Sequence, residues 1–139
     1  FEIQRTGDDT SGRIWERTRR MGINTLAMRM PQNRVFYDCD ADCVGLTREV
    51  DWKMNRQWLE LLAKSGTPLF VSVDPDIATE EHRKALREAF AIASKRRKEG
   101  KPLDWQDNLC PEIWDFEGER GEFDFNEPVG NYTGEVWWR

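Results

Sequence analysis

The residues best equipped for chemistry are acids that follow apolar or β-type runs. Asp9, Asp40, Asp42 and Asp74 each stand just beyond such a run, and Arg5 precedes Asp9 by four positions. Retaining hydrolysis of a glycosidic bond needs two carboxyl groups roughly 5–5.5 Å apart. One attacks the anomeric carbon; the other protonates the leaving oxygen and then activates water. Four acids after successive strands can meet around one pocket, although an isolated Asp is more often a turn or cap residue. Asp38, Asp40 and Asp42 also occupy positions one, three and five of a calcium-loop pattern, with Glu49 at position twelve. That pattern needs Gly at position six and a helix in front, whereas this chain has Cys43 there and Val35-Phe36-Tyr37 in front. No metal is expected.

The elements that must position these acids alternate. Phe1 to Gln4 reads as the end of a strand, and Arg5 to Gly12 as a loop of turn formers. Ser11 is placed to cap a helix through Arg20. Arg34-Val35-Phe36-Tyr37 reads as a strand ending in the run Asp38-Cys39-Asp40-Ala41-Asp42-Cys43. Val50, Met54, Trp58 and Leu61/Leu62 recur at helical spacing, predicting a helix from Glu49 to Lys64 with Gly66 just beyond it. Leu69 to Val73 has the near-continuous apolar pattern of a strand buried on both faces.

The next helix starts at Thr79, carries Glu80 and Glu81 in its first turn, and closes on the basic run Lys95 to Lys98. Leu86, Ala89, Phe90 and Ala93 form its predicted buried stripe, and His82 reads as a solvated residue on it. Strand–helix alternation of this kind indicates parallel strands with crossover helices. Such sheets place their chemistry at strand C-termini.

After Lys101 the pattern becomes loop and hairpin, around Glu117 to Gly121 and Phe123-Asp124-Phe125. Val136-Trp137-Trp138 reads as the start of a further strand, so a boundary is expected near residue 101.

Composition removes several function classes. The net charge of −5 argues against nucleic acid as a partner, since phosphates want a basic face. No window approaches the roughly 18 consecutive apolar residues of a membrane span, so no membrane partner is expected. Cys39, Cys43 and Cys110 have no zinc-ligand spacing with the single His82 and read as buried free thiols. No glycine-rich phosphate loop and no nucleophile elbow is present. Seven Trp supply flat apolar surface that serves sugar sites and cores equally. Asn131-Tyr132-Thr133 matches a glycosylation acceptor and leaves the compartment open. The chain begins at Phe1, with no signal-peptide pattern, which suggests a removed leader or a longer parent.

In order, Arg5-x-x-x-Asp9, then Phe36-Tyr37 leading to Asp40-Ala41-Asp42-Cys43, then Gly66 to Asp74, the chain resembles the last third of the α-galactosidase (melibiase) barrels. These are the family 27 and family 36 glycoside hydrolases. The resemblance covers about residues 1 to 100. It implies an α/β fold: units six to eight of a (β/α)8 TIM barrel, with residues 101–139 as a linker and the start of a C-terminal β-sandwich. It implies that Asp9 is the general acid/base and that Arg5 contacts the sugar near C2. Asp40 and Asp42 fall on the last two acids of the family's Trp-x-Asn-Asp-Pro-Asp segment, and Cys43 on the residue after it. This chain has Ala41 in place of Pro, and Ser72-Val73-Asp74 where the family often has Ser-Asp-Asp.

The nucleophile of those enzymes lies upstream of the matching stretch. The expected protein is therefore a fragment of a retaining exo-α-glycosidase acting on terminal α-galactosides, inactive alone and using no cofactor. Its expected partners are a carbohydrate and the rest of the barrel, with self-association as another way to cover open strand edges. The alternatives are a same-fold enzyme acting on α-N-acetylgalactosaminides or β-L-arabinopyranosides, a carbohydrate-binding module that uses Trp for stacking, and an inactive α/β domain.

Overall fold

A strand that changes partner midway organises the molecule. The structure is a computed structural model and describes residues 2–10, 12–95 and 97–127. Strand β1 (Ile3–Arg5) runs parallel to β2 (Asp38–Asp40), with Arg5 level with Asp40. The chain then turns through Ala41 and Asp42, and β3 (Cys43–Leu46) runs parallel to β4 (Phe70–Val73), with Cys43 level with Phe70. Among the described residues β1 pairs only with β2, and β4 only with β3.

Helical crossovers join the parallel strands. The first comprises α1 (Trp15–Arg17), a π-helical stretch (Thr18–Asn24), α2 (Thr25–Arg29) and a 3-10 turn (Met30–Gln32). It starts later than the sequence suggests, at Trp15, and the expected cap Ser11 lies outside the described residues. Its widened middle brings buried Gly22 against Trp58, where an added Cβ would sit 3.0 Å from the indole. Helix α3 (Trp52–Ser65) is capped by Asp51, which accepts the Lys53 N–H, and ends on Gly66 in the left-handed conformation that glycine adopts without steric cost. Met54, Trp58, Leu59, Leu61 and Leu62 form its buried face. Asn55 donates to the Gly45 carbonyl at 3.1 Å and so ties the helix to β3.

Helix α4 (Glu80–Ala93) is capped by Thr79 as expected, but other features of this region differ. The helix ends at Ala93, before the basic run. Ala89 is buried, whereas Phe90 is 47% exposed, because α4 packs on α3 through a narrower stripe of Ala85, Leu86, Ala89 and Ile92. His82 is not simply solvated. Its Nδ1 accepts the Thr79 N–H at 3.1 Å to close a capping box, and its ring packs edge-on against Trp52 at 4.3 Å.

Two strand expectations also move. Arg34 to Phe36 form a turn, with Arg34 at φ +59° and Val35 and Phe36 exposed, and the strand begins at Asp38. The Asn33 side chain accepts the Cys39 N–H at 2.9 Å and fixes that later start. β4 is not buried on both faces: Phe70 is 44% exposed.

Residues 101–127 build an antiparallel sheet of β5 (Lys101–Pro102), β6 (Ile113–Phe116) and β7 (Glu119–Glu122). Glu117 and Gly118 both have positive φ, the two-residue turn whose twist suits a hairpin. Trp114 stacks with Phe116, and Phe123 with Phe125, in the same core cluster as Trp15, Leu26, Trp58 and Leu62. Trp15 donates from Nε1 to the Phe125 carbonyl at 3.1 Å. The expected strand at 136–138 and the acceptor at Asn131 lie outside the described residues. Among the described residues no helix is long and apolar enough to cross a membrane.

Candidate functional site

Arg5 is the last residue of β1, so its side chain leaves the sheet where the loop to α1 begins. Its guanidinium meets three carboxylates. Nη1 lies 2.9 Å from Asp9 Oδ1, Nη2 lies 2.9 Å from Asp42 Oδ1, and Nε lies 3.5 Å from Asp40 Oδ2. A planar fork with donors on several sides suits this task, and a lysine ammonium would not reproduce it. One positive charge among three negative ones leaves the cluster formally at −2.

Asp42 is the best-held acid, with its side chain 12% exposed. Its φ of +69° is left-handed, a conformation that Asp tolerates better than most residues. This places Oδ1 on Arg5 and Oδ2 on Thr10, which donates its backbone N–H at 2.7 Å. The Thr10 hydroxyl lies 3.2 Å from the same oxygen and 3.0 Å from the Cys43 carbonyl. Asp40 Oδ1 accepts the Asp42 N–H at 2.8 Å and closes the turn between β2 and β3. The loop after β1 and the junction after β2 are thus latched through Thr10 and Arg5.

Asp9 is held differently. Its side chain is 70% exposed, and among the described residues its carboxylate is bonded to Arg5 alone. Its backbone is fixed more firmly. The Asp9 N–H donates to Asp8 Oδ1 at 2.8 Å, Arg17 Nη2 donates to Asp8 Oδ2 at 3.0 Å, and Arg17 Nε donates to the Asp9 carbonyl. Farther along, the loop rests on β3. A Cβ on Gly12, at φ +67°, would come within 2.8 Å of the Gly45 Cα. The result is an anchored backbone that carries a solvent-facing acid.

Cys43 stands next to Asp42 and is half-buried. Burial, and then the Asp42 charge, push its thiol up from the ordinary value, so it stays protonated near neutral pH and is not a nucleophile. Cys39 is likewise raised, chiefly by burial, and buried Cys110 is pushed up to about 12. All three are free thiols.

The structure therefore brings together Arg5, Asp9, Asp40 and Asp42, with Cys43 beside them. It does not bring Asp74 to the same place. The β3–β4 register puts Asp74 one residue beyond Leu46, about 16 Å along the strand from the level of Asp42 at 3.3 Å per residue. The Asp74 carboxylate instead accepts the Asp76 N–H at 3.0 Å. Thr10 and Arg17 were not singled out by sequence. Thr10 lies within the loop of turn formers, and Arg17 within the helix expected between Ser11 and Arg20.

Among the described residues, no group of three or more His, Cys, Asp or Glu is arranged to hold a metal ion. Arg5 fills the centre of the carboxylate cluster. Trp15, Trp58 and Trp114 are fully buried and present no face to a ligand. No family model, no curated protein and no solved structure matches this chain.

Proposed function

We propose that this chain supplies the acid/base side of a retaining exo-α-glycosidase acting on terminal α-galactosides, with the nucleophile on a part of the parent protein outside this sequence. The observation that carries the reading is the Arg5 fork, which gathers Asp9, Asp40 and Asp42 at the C-terminal ends of two parallel strands. The resemblance of Arg5-x-x-x-Asp9 and Asp40-Ala41-Asp42-Cys43 to the melibiase barrels adds the reaction class. Support for a larger barrel comes from β1 and β4. Parallel strands are ordinarily covered on both faces, yet Ile3, Gln4 and Arg5 are all exposed and Phe70 is half-exposed. Further strands on these edges would cover them.

In the first step Asp9, protonated, gives its proton to the leaving oxygen as the bond from that oxygen to the anomeric carbon breaks. The upstream carboxylate bonds to the same carbon. In the second step Asp9 takes a proton from water, the water oxygen bonds to the anomeric carbon, and the upstream carboxylate leaves. A neutral Asp9 does not attract Arg5, so before the first step the ion pair is open and Arg5 is free for the sugar hydroxyls; the pair re-forms once Asp9 has given up its proton and opens again when Asp9 takes one from water. Asp42 stays fixed by Thr10 and lines the pocket, Asp40 shapes the junction, and Cys43 contributes a neutral wall.

The test uses the full-length parent and its Asp9→Ala variant on a panel of nitrophenyl α-glycosides, with and without azide. The expected outcome is turnover of the α-galactoside by the parent, a loss of about 10²–10⁴-fold in the variant, and recovery with azide as a glycosyl azide of retained configuration. An unimpaired variant removes Asp9 from the role. A parent inert on the whole panel overturns the reading.

A further inference from the structure

At the other end of the parallel strands lies a cavity of about 560 Å3 that the Arg5 cluster does not use. It is bounded by the segment that leads into β2 and by the segment that follows α4. Met28, Met30, Pro31 and Val35 come from the first, Pro102 and Trp105 from the second. Its volume falls within the roughly 300–1,000 Å3 range of small-molecule sites. Trp105 is 48% exposed, the most open indole among the described Trp residues, and Met28 is 42% exposed. A flat indole beside two thioethers favours an aromatic ring, through stacking and sulfur–ring contacts.

Asn33 supplies the polar feature. It lines the same cavity and is 2% exposed. Its Oδ1 accepts the Cys39 N–H at 2.9 Å, which fixes the orientation of the amide, because the flipped form would set two donors against each other. The Nδ2 is left buried with no hydrogen-bond partner. Buried donors are almost always satisfied, and an exception calls for an explanation. Val35, on the same lining, is 66% exposed, and binding through Nδ2 requires a shift of the lining that uncovers this buried donor. At the rim one acid and one base, Glu99 and Lys101, offset each other in formal charge.

We infer that this cavity binds an uncharged, single-ring aromatic compound bearing a carbonyl acceptor, with the ring against Trp105 and the carbonyl oxygen taking the Asn33 Nδ2–H. The site stands independently of the glycosidase reading. Asn33 precedes β2, and Gly100 at the cavity wall is bonded to the Ser65 carbonyl ahead of β4, whereas Arg5 and Asp40 end their strands.

The test is a titration of this chain with acetophenone, followed by the side-chain amide resonances of Asn33 and the indole resonance of Trp105. Ethylbenzene, of similar shape but without an acceptor, is the control. The expected result is a saturable shift of both groups. Ethylbenzene binds about fivefold more weakly, the worth of one neutral hydrogen bond, and Trp105→Ala weakens acetophenone about tenfold. Asn33→Asp, which keeps the acceptor for Cys39, removes the preference for acetophenone. If that variant does not fold, the two ligands and Trp105→Ala still decide. No saturable shift, equal binding of ethylbenzene to the parent chain, or an unchanged affinity in Trp105→Ala overturns the proposal.

Discussion

The β1–β2 pair and the β5–β7 sheet solve the problem of holding strands in place in opposite ways. All three β1 residues are exposed, and the pair is tied at its end by the Arg5 ion pairs and the Thr6 N–H to Asp40 carbonyl bond at 2.8 Å. In β6, Trp114 and Phe116 are at most 1% exposed and stack on each other, with Phe123 set edge-on. Ion pairs at this degree of exposure contribute about 0–1 kcal/mol, whereas a buried aromatic contributes several. The aromatic sheet thus supplies stability and the charged pair supplies chemical groups. A region that must present an unspent carboxylate cannot also be the region that holds the fold.

The largest effect should come from the stable side. Trp114→Ala is expected to cost about 3–5 kcal/mol, which a urea midpoint will report. Ile3→Ala, made at 56% exposure on the charged side, should move that midpoint by under about 0.5 kcal/mol. A similar loss in both would erase the contrast.

Asp42 is where the charged side comes nearest to a structural role. Asp42→Ala removes the acceptor for Thr10, leaves Arg5 one partner short and puts Ala at φ +69°, for about 2–3 kcal/mol in total. Asp42→Asn keeps tolerance for that backbone and should cost about 1 kcal/mol. Equal losses would mean that the backbone conformation contributes nothing.

The thiols give a pH dependence. Cys39, Cys43 and Cys110 are all raised, Cys110 to about 12, while the unfolded thiols ionise near 9. Above pH 9 the folded chain holds more protons than the unfolded one, so stability falls as pH rises from about 9 toward 12. By pH 10.5 the Cys110 share should reach about 1–2 kcal/mol, and Cys110→Ala should flatten the decline in urea midpoints between pH 8 and 10.5. The smallest effect belongs to Asp9→Asn. At 70% side-chain exposure it should change stability by under about 0.5 kcal/mol, while on the proposed function it should abolish glycoside turnover in the full-length protein.

Much of the frame was legible because local signals agreed with packing. Met54, Trp58 and Leu61/Leu62 marked α3, Gly66 its end, Thr79 the start of α4, and Glu117-Gly118 a hairpin. The misplaced strand at Val35-Phe36 shows a limit. β-type side chains give no strand where Arg34 turns left-handed and the Asn33 amide takes over a backbone donor six residues later. The basic run after Ala93 shows another, since cations near a helix end do not fix which residue ends it. Within the site, Arg5, Asp9, Asp40 and Asp42 could be named because charge and order mark them. Thr10 and Arg17 could not, because what they do depends on contacts across 32 and 8 positions.

The contact between Gly12 and Gly45 has a bearing on how this site can be altered. With backbone resting on backbone there, the thickness of one methyl group acts as a shim between the loop that carries Asp9 and the strand beneath it. Gly12→Ala would force that loop off the strand, at a backbone conformation already unfavourable for Ala, with every charged residue left in place. The position of the Asp9 carboxylate is thus adjustable from a residue that bears no functional group.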